Sequence, residues 1–237
     1  GGGSSGTLNF NGGVLRAALS SGTFITTITA SYIKSGGAFI DTNGYEITIP
    51  QAFLNSPTSP GGALTKQGAG KLTLPTANTH TGGTTIAGGT LNVGIATALG
   101  TGSLTFINGI LEDGTAGSPL PVGLAQVWAG TAAFAGTTAI NTGTGSVTIA
   151  SDSTVDVRVA SVTVAGNVAG PGGFTKIGSG SLMLSGTNTY AGATVVNTGT
   201  LILNGATALP VGSALSIAAG ATVILQNGAQ VTGFTGA

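Results

Sequence analysis

The sequence predicts an all-β protein wound as a solenoid of roughly ten coils. Two observations select that class. The first is a long internal repeat: residues 61–103, GGALTKQGAGKLTLPTANTHTGGTTIAGGTLNVGIATALGTGS, return at 171–213 as PGGFTKIGSGSLMLSGTNTYAGATVVNTGTLILNGATALPVGS, and 20 of the 43 aligned pairs are identical. The second is a succession of short alternating runs separated by glycine-rich turns. Such runs by themselves allow a sandwich, a barrel or a solenoid. A sandwich has no reason to copy a long segment at one offset, whereas a solenoid buries the same inward positions coil after coil.

The strand patterns follow in chain order. Phe24-Ile25-Thr26-Thr27-Ile28, Tyr45-Glu46-Ile47-Thr48-Ile49 and Leu72-Thr73-Leu74 come first, then Leu104-Thr105-Phe106, Val147-Thr148-Ile149 and Val155-Asp156-Val157-Arg158-Val159. Leu182-Met183-Leu184 and Thr222-Val223-Ile224-Leu225 close the series. Period-two patterning rich in Val, Ile, Leu and Thr is the mark of half-buried strand. Gly, Asn, Ser and Pro between the runs supply turn chemistry. No window carries a helical stripe; the nearest, Val14 to Ser20, follows Gly12-Gly13. The repeat pairs Leu72 with Leu182, Leu74 with Leu184, Ile86 with Val196, Leu91 with Leu201 and Val93 with Leu203 as inward positions. At roughly 20 to 25 residues per coil and about 4.8 Å between coils, the expected rod is on the order of 50 Å long. The whole chain, 1–237, reads as a single solenoid with repeats at about 41–103 and 151–213. Upstream of the long repeat, Tyr45–Ile49 aligns with Val155–Val159 at the same offset. Residues 104–150, which include Trp128, read as an irregular insertion or further coils.

Composition narrows the function classes. Charged residues are 5%, six basic and six acidic, and the formal net charge is zero. Without a basic cluster to neutralise phosphates, no nucleic-acid footprint is expected. With 41% hydrophobic residues and a mean hydropathy of +0.46, the chain is not of the disordered type. No apolar run approaches the roughly 18 residues of a transmembrane helix, so this chain is not expected to insert in a membrane. Cysteine is absent, which excludes disulfides and thiolate metal sites.

The repeat also carries a family pattern. It reads Thr65-Lys66-x-Gly68-x-Gly70-x-Leu72-Thr73-Leu74, then Asn78-Thr79-His80-Thr81-Gly82-Gly83-Thr84-Thr85-Ile86, then Gly89-Thr90-Leu91. The second copy has Thr175-Lys176-x-Gly178-x-Gly180-x-Leu182-x-Leu184, Asn188-Thr189-Tyr190-x-Gly192 and Gly199-Thr200-Leu201. This resembles the autotransporter passenger-associated β-strand repeat, over about a third of the chain. The resemblance implies a right-handed parallel β-helix on, or secreted from, a bacterial cell surface, of the kind that builds adhesin stalks. No membrane barrel follows within these residues, which close on Gly233-Phe234-Thr235-Gly236-Ala237. Transport through an attached barrel is therefore not expected of this chain by itself.

Candidate chemistry is sparse. His80, the one histidine, aligns with Tyr190, which reads as a slot for either ring. It lacks the GxSxG elbow of a serine hydrolase. Asp152, Thr154, Asp156 and Arg158 fall on one strand face by period two, which makes Asp152, Asp156 and Arg158 the catalytic candidates of a polysaccharide lyase or hydrolase. The alternative for the same residues is a solvated face with an Asp156–Arg158 ion pair, and Glu46, opposite Asp156 in the repeat alignment, favours it. Asp41-Thr42-Asn43 and Glu112-Asp113 are too sparse for calcium. Asn78 and Asn188 read as turn or ladder residues, and Lys66 and Lys176 as solubilising side chains. No cofactor or metal is expected.

The expectation is therefore a non-enzymatic extracellular structural or adhesive solenoid. Its partners would be other surface proteins or glycans, with Trp128, Tyr32 and Tyr45 as aromatic platforms, or a second copy of itself. The uncharged stretches Gly1 to Phe10 and Ala221-Thr222-Val223-Ile224-Leu225 offer little to oppose head-to-tail stacking into a filament.

Overall fold

A computed structural model describes residues 6–114 and 123–231; Gly1–Ser5 and the closing Gly233–Ala237 lie outside the described residues. The chain divides into two compact units, Gly1–Ser118 and Pro119–Ala237. Both are built from parallel strands stacked as β-solenoid coils, about ten in the chain.

In the first unit each full coil has three sides. One face stacks Thr7–Phe10, Ala30–Ile33 and Phe53–Asn55. A second stacks Val14–Arg16, Ala38–Asp41, Leu64–Gln67, Thr84–Ile86 and the start of Leu104–Asp113. The third stacks Glu46–Thr48, Lys71–Leu74, Thr90–Val93 and the end of Leu104–Asp113. A single 3-10 turn, Ala96–Leu99, interrupts the described strands.

The second unit repeats the plan. Gln126–Gly136 bends across two faces: its start pairs with Val147–Ile149, which pairs with Val168–Ala169. Its end pairs with Ser153–Val157, followed by Phe174–Ile177, Thr194–Val196 and Leu215–Ile217. The third face runs Ile140–Asn141, Ser161–Val164, Ser181–Leu184, Thr200–Asn204 and Thr222–Gln226. Residues 104–150 are thus further coils wherever they are described.

Alternation decides which side chains enter the core. Ile47, Leu72, Leu91 and Leu111 stand in one ladder, and Val162, Leu182, Leu201 and Val223 in its counterpart. All ten inward positions predicted from the repeat are buried. Each such Leu, Ile or Val contributes about 1.5–3 kcal/mol of burial. The rings stack edge-on: Phe10 on Phe53, with centroids 5.8 Å apart, and Trp128 on Phe174 on Tyr190, at 6.4 and 5.6 Å.

One alignment from the sequence fails. Glu46–Thr48 belongs to the third face, pairing with Lys71–Leu74, whereas Ser153–Val157 belongs to the second, pairing with Phe174–Ile177. The true counterpart of Ser153–Val157 is Ala38–Asp41, which pairs with Leu64–Gln67. The reason is coil length. Phe53 reaches Asn78 on the next coil 25 residues on, while Val168 reaches Asn188 only 20 residues on. Any period-two run matches any other, so the longer early coils slide the letters onto the wrong face.

Candidate functional site: the lysine corners and the asparagine stitch

The corner after the second face holds the most unusual chemistry. Lys66 and Lys176 stand at inward positions of apolar ladders, between Ile40 and Ile86 and between Val155 and Val196. Both are fully buried, which corrects their reading as solubilising side chains. A buried ammonium is costly unless its donors are used. Here they are. Lys66 Nζ donates to Thr42 Oγ1 at 3.0 Å and to the carbonyls of Gln67 at 2.9 Å, Gly68 at 2.7 Å and Gly88 at 2.9 Å. Lys176 Nζ donates to the carbonyls of Ile177 at 3.0 Å, Gly178 at 2.7 Å and Thr198 at 3.0 Å. Burial lowers both lysines to about 8; Asp41 and Asp156, respectively, oppose the shift.

Those aspartates sit just outside the corner, and each meets an arginine. Asp41 Oδ2 accepts from Arg16 Nε at 2.8 Å, and Asp156 Oδ2 from Arg158 Nε at 2.7 Å. The Asp156–Arg158 pair foreseen from the sequence therefore forms, with Asp156 largely buried rather than solvated. Asp152 is exposed, and its Oδ1 accepts from the Gly173 amide at 2.8 Å. The shallow concavity beside Asp152, about 110 Å³, is lined by Ser153, Phe174, Thr175 and Val195, with neither Asp156 nor Arg158 in it. The three catalytic candidates are thus not gathered around one cleft. Asp41 is likewise committed, its Oδ1 accepting from the Asn43 amide at 2.8 Å. Among the described residues no acidic or histidine cluster could hold a metal ion.

Asn78 and Asn188 are buried and play one role in both copies. The Asn78 side chain accepts from Phe53 N at 2.7 Å on the preceding coil and donates to the Ala98 carbonyl on the next. Asn188 accepts from Val168 N at 2.8 Å and donates to the Ala208 carbonyl at 2.7 Å. Each amide stitches three coils. Asn188→Ala would orphan a buried N–H and a buried carbonyl, an expected loss of about 3 kcal/mol. A urea denaturation midpoint compared with the wild type checks it.

The ring slot also holds. His80 Nε2 lies 3.0 Å from Thr84 Oγ1, and Tyr190 Oη 2.6 Å from Thr194 Oγ1. Because Thr84 Oγ1 donates its proton to the Leu99 carbonyl at 2.9 Å, His80 Nε2 is the donor to Thr84. Nδ1 is then a bare buried acceptor without a partner. Burial lowers His80 to about 4 and raises Tyr190 to about 12, the Thr194 hydrogen bond opposing the latter shift. Both rings are architectural. Trp128 is fully buried, its Nε1 donating to Gln126 Oε1 at 3.3 Å, so it is no exposed platform beside Tyr32 and Tyr45. A groove of about 500 Å³ lies between Thr187–Ala191 and the Pro210–Ser213 loop. Pro210 stands where the first copy has Gly100 at φ +72, a conformation closed to proline.

The fold and this corner chemistry, used twice, define a β-solenoid built from repeated coils. Residues 64–93 and 174–207 match the Passenger-associated-transport-repeat family model, so these two copies belong to the autotransporter passenger repeat family. Among curated proteins it is similar to the Adhesin BmaC autotransporter of Brucella suis biovar 1 (strain 1330), 34% identical over 195 residues. That match covers 76% of this chain but 5% of the relative, so the chain spans a small part of the protein it resembles. No solved structure matches it.

Proposed function

We propose that this chain is a non-enzymatic segment of an adhesive stalk, secreted or held at a bacterial surface. The observation that carries the reading is how its few charges are spent. Lys66, Lys176, Asp41, Asp156, Arg16 and Arg158 all serve two coil corners, and a third ion pair, Lys71–Glu112, bridges coils. A chain that commits most of its charged groups to holding coils together offers length and surface. The relative's name as an adhesin supports the adhesive half. The test is retention of the purified chain on arrays of glycans and host-surface proteins. Selective retention is expected, and uniformly blank arrays would remove the adhesive half. Release of sugar ends from acidic polysaccharides, lost in Asp156→Ala, would replace the reading with the enzymatic one.

End-on stacking is part of the same proposal. Ile217 and Leu225, each 46% exposed, continue the inward ladders of Val196 and Leu203, and among the described residues no further strand stacks on them. A further solenoid coil, supplied by a second copy when the chain is alone, would cover them. Filaments in electron micrographs are the expected result; dispersed particles at high concentration would count against it.

A further inference from the structure

The outward side of the second unit's third face has a composition the fold does not require. By alternation its outward residues form three ranks across the stacked strands. Ser161, Ser181, Thr200 and Thr222 make a hydroxyl rank. Thr163, Met183, Ile202 and Ile224 make the central rank, which turns apolar from Met183 onward. Ser185, Asn204 and Gln226 make an amide and hydroxyl rank, with Asn204 Nδ2 donating to Ser185 Oγ at 3.3 Å. None of these side chains is buried, and Ile224 is 39% exposed. None is ionisable.

The first unit supplies the control. Its third face, at the equivalent outward positions, carries Glu46, Lys71, Thr90 and Ile110 in one rank and Thr48, Thr73, Asn92 and Glu112 in the next. The same coils therefore stack with polar and charged side chains there. The apolar central rank of the second unit is not spent on stacking, and solenoid architecture does not account for it.

We infer that this face is a self-recognition surface, whose occupant is the same face of a second copy. Two arguments on the structure select that occupant. The face is self-complementary: with two solenoids side by side and parallel, a two-fold axis lays the apolar rank on the apolar rank. It then sets the hydroxyl rank against the Asn204 and Gln226 amides, donors against acceptors. Both partners also share one coil spacing, about 4.8 Å, so contacts stay in step along the stack, and no like charges oppose them. Magnitude sets the strength. Four coils by three ranks cover on the order of 300 Å², against about 800 Å² per partner in a stable complex. A single contact is therefore weak and becomes effective only when many copies are displayed together.

The experiment uses beads coated densely with the full chain. Wild-type beads clump. Beads carrying Ile202→Glu, or Ile202→Lys, each stay dispersed, because a charge on the central rank meets its own copy. A one-to-one mixture of the two bead types clumps again. Met183→Glu and Met183→Lys give the same pattern and serve as the second pair should either Ile202 variant lose its wild-type denaturation midpoint. Thr73→Glu, at the matching position of the first unit, leaves clumping unchanged. Wild-type beads that stay dispersed would overturn the inference, as would charged variants that clump like wild type, or a mixture no better than its components. So would beads that stay dispersed yet hold a glycan through Ile202, which would assign the face to a sugar. The result is independent of the array test for adhesion, and of end-on filaments, which Ile202 does not touch.

Discussion

Gly180→Ala is expected to cost more than about 4 kcal/mol, a loss outside the ordinary range for one substitution. A Cβ at Gly180 would overlap the Val159 carbonyl oxygen on the preceding coil and stand 2.7 Å from Val157 Cγ1. The corner cannot give way locally. Gly180 N donates to the Val157 carbonyl at 3.1 Å, and the Gly180 carbonyl accepts from Thr200 N at 3.4 Å, so the residue is tied above and below. Coil spacing is set at about 4.8 Å by the whole ladder, and widening it at one corner breaks the bonds beside it. Gly70 stands in the same relation to the Tyr45 carbonyl, and Gly70→Ala should behave alike. Gly13→Ala is the control, since a Cβ there meets nothing within 4 Å. Urea denaturation of the three variants checks the result. A Gly180→Ala midpoint close to wild type would mean that the corners are looser than the geometry states.

The second large effect is on pH dependence. The buried lysines have folded values near 8, below the ordinary 10.5 of the unfolded chain. Between those values the unfolded state binds more protons, so stability rises with pH across the window. The gain is on the order of 3 kcal/mol for each lysine, from 2.5 pH units at about 1.4 kcal/mol each. The window closes near the lysines' unfolded value of 10.5, because Tyr190, raised to about 12, by then ionises more readily in the unfolded chain and stability falls again. Lys66→Met together with Lys176→Met should flatten the rise between pH 7.5 and 10. It should also cost stability at pH 7, where the Gly88 and Thr198 carbonyls lose their Nζ donor. Denaturation midpoints at four pH values, wild type against double variant, measure both effects. A rise that survives in the double variant would place its origin elsewhere.

Much of the architecture was legible because it is local and repeated. Leu72, Leu91 and their counterparts announce inward positions by alternation, and the two copies confirm each other. Asn78, Asn188 and the His80/Tyr190 slot were read correctly as architecture for the same reason. The lysines were not. A Lys in a polar-looking Thr-Lys-x-Gly run is usually exposed, and nothing adjacent in the chain signals that Gly88 and Thr198, 22 residues on, supply its oxygens. A signal was present in the spacing: Lys66 and Lys176 fall in phase with Leu64 and Phe174, on the inward set. Trp128 was misjudged as a platform because one aromatic carries no phase of its own.

The sequence by itself determined the solenoid, its inward ladders and its family, since period-two alternation and a copied segment are properties of the letters. Only the tertiary structure decided which coil each strand stacks on, where the charges lie, and which outward face is free of them. The physical reason is coil length. Stacking brings together residues 20 to 25 positions apart, and a change of a few residues in one corner moves every later side chain to a new neighbour while leaving its local pattern intact.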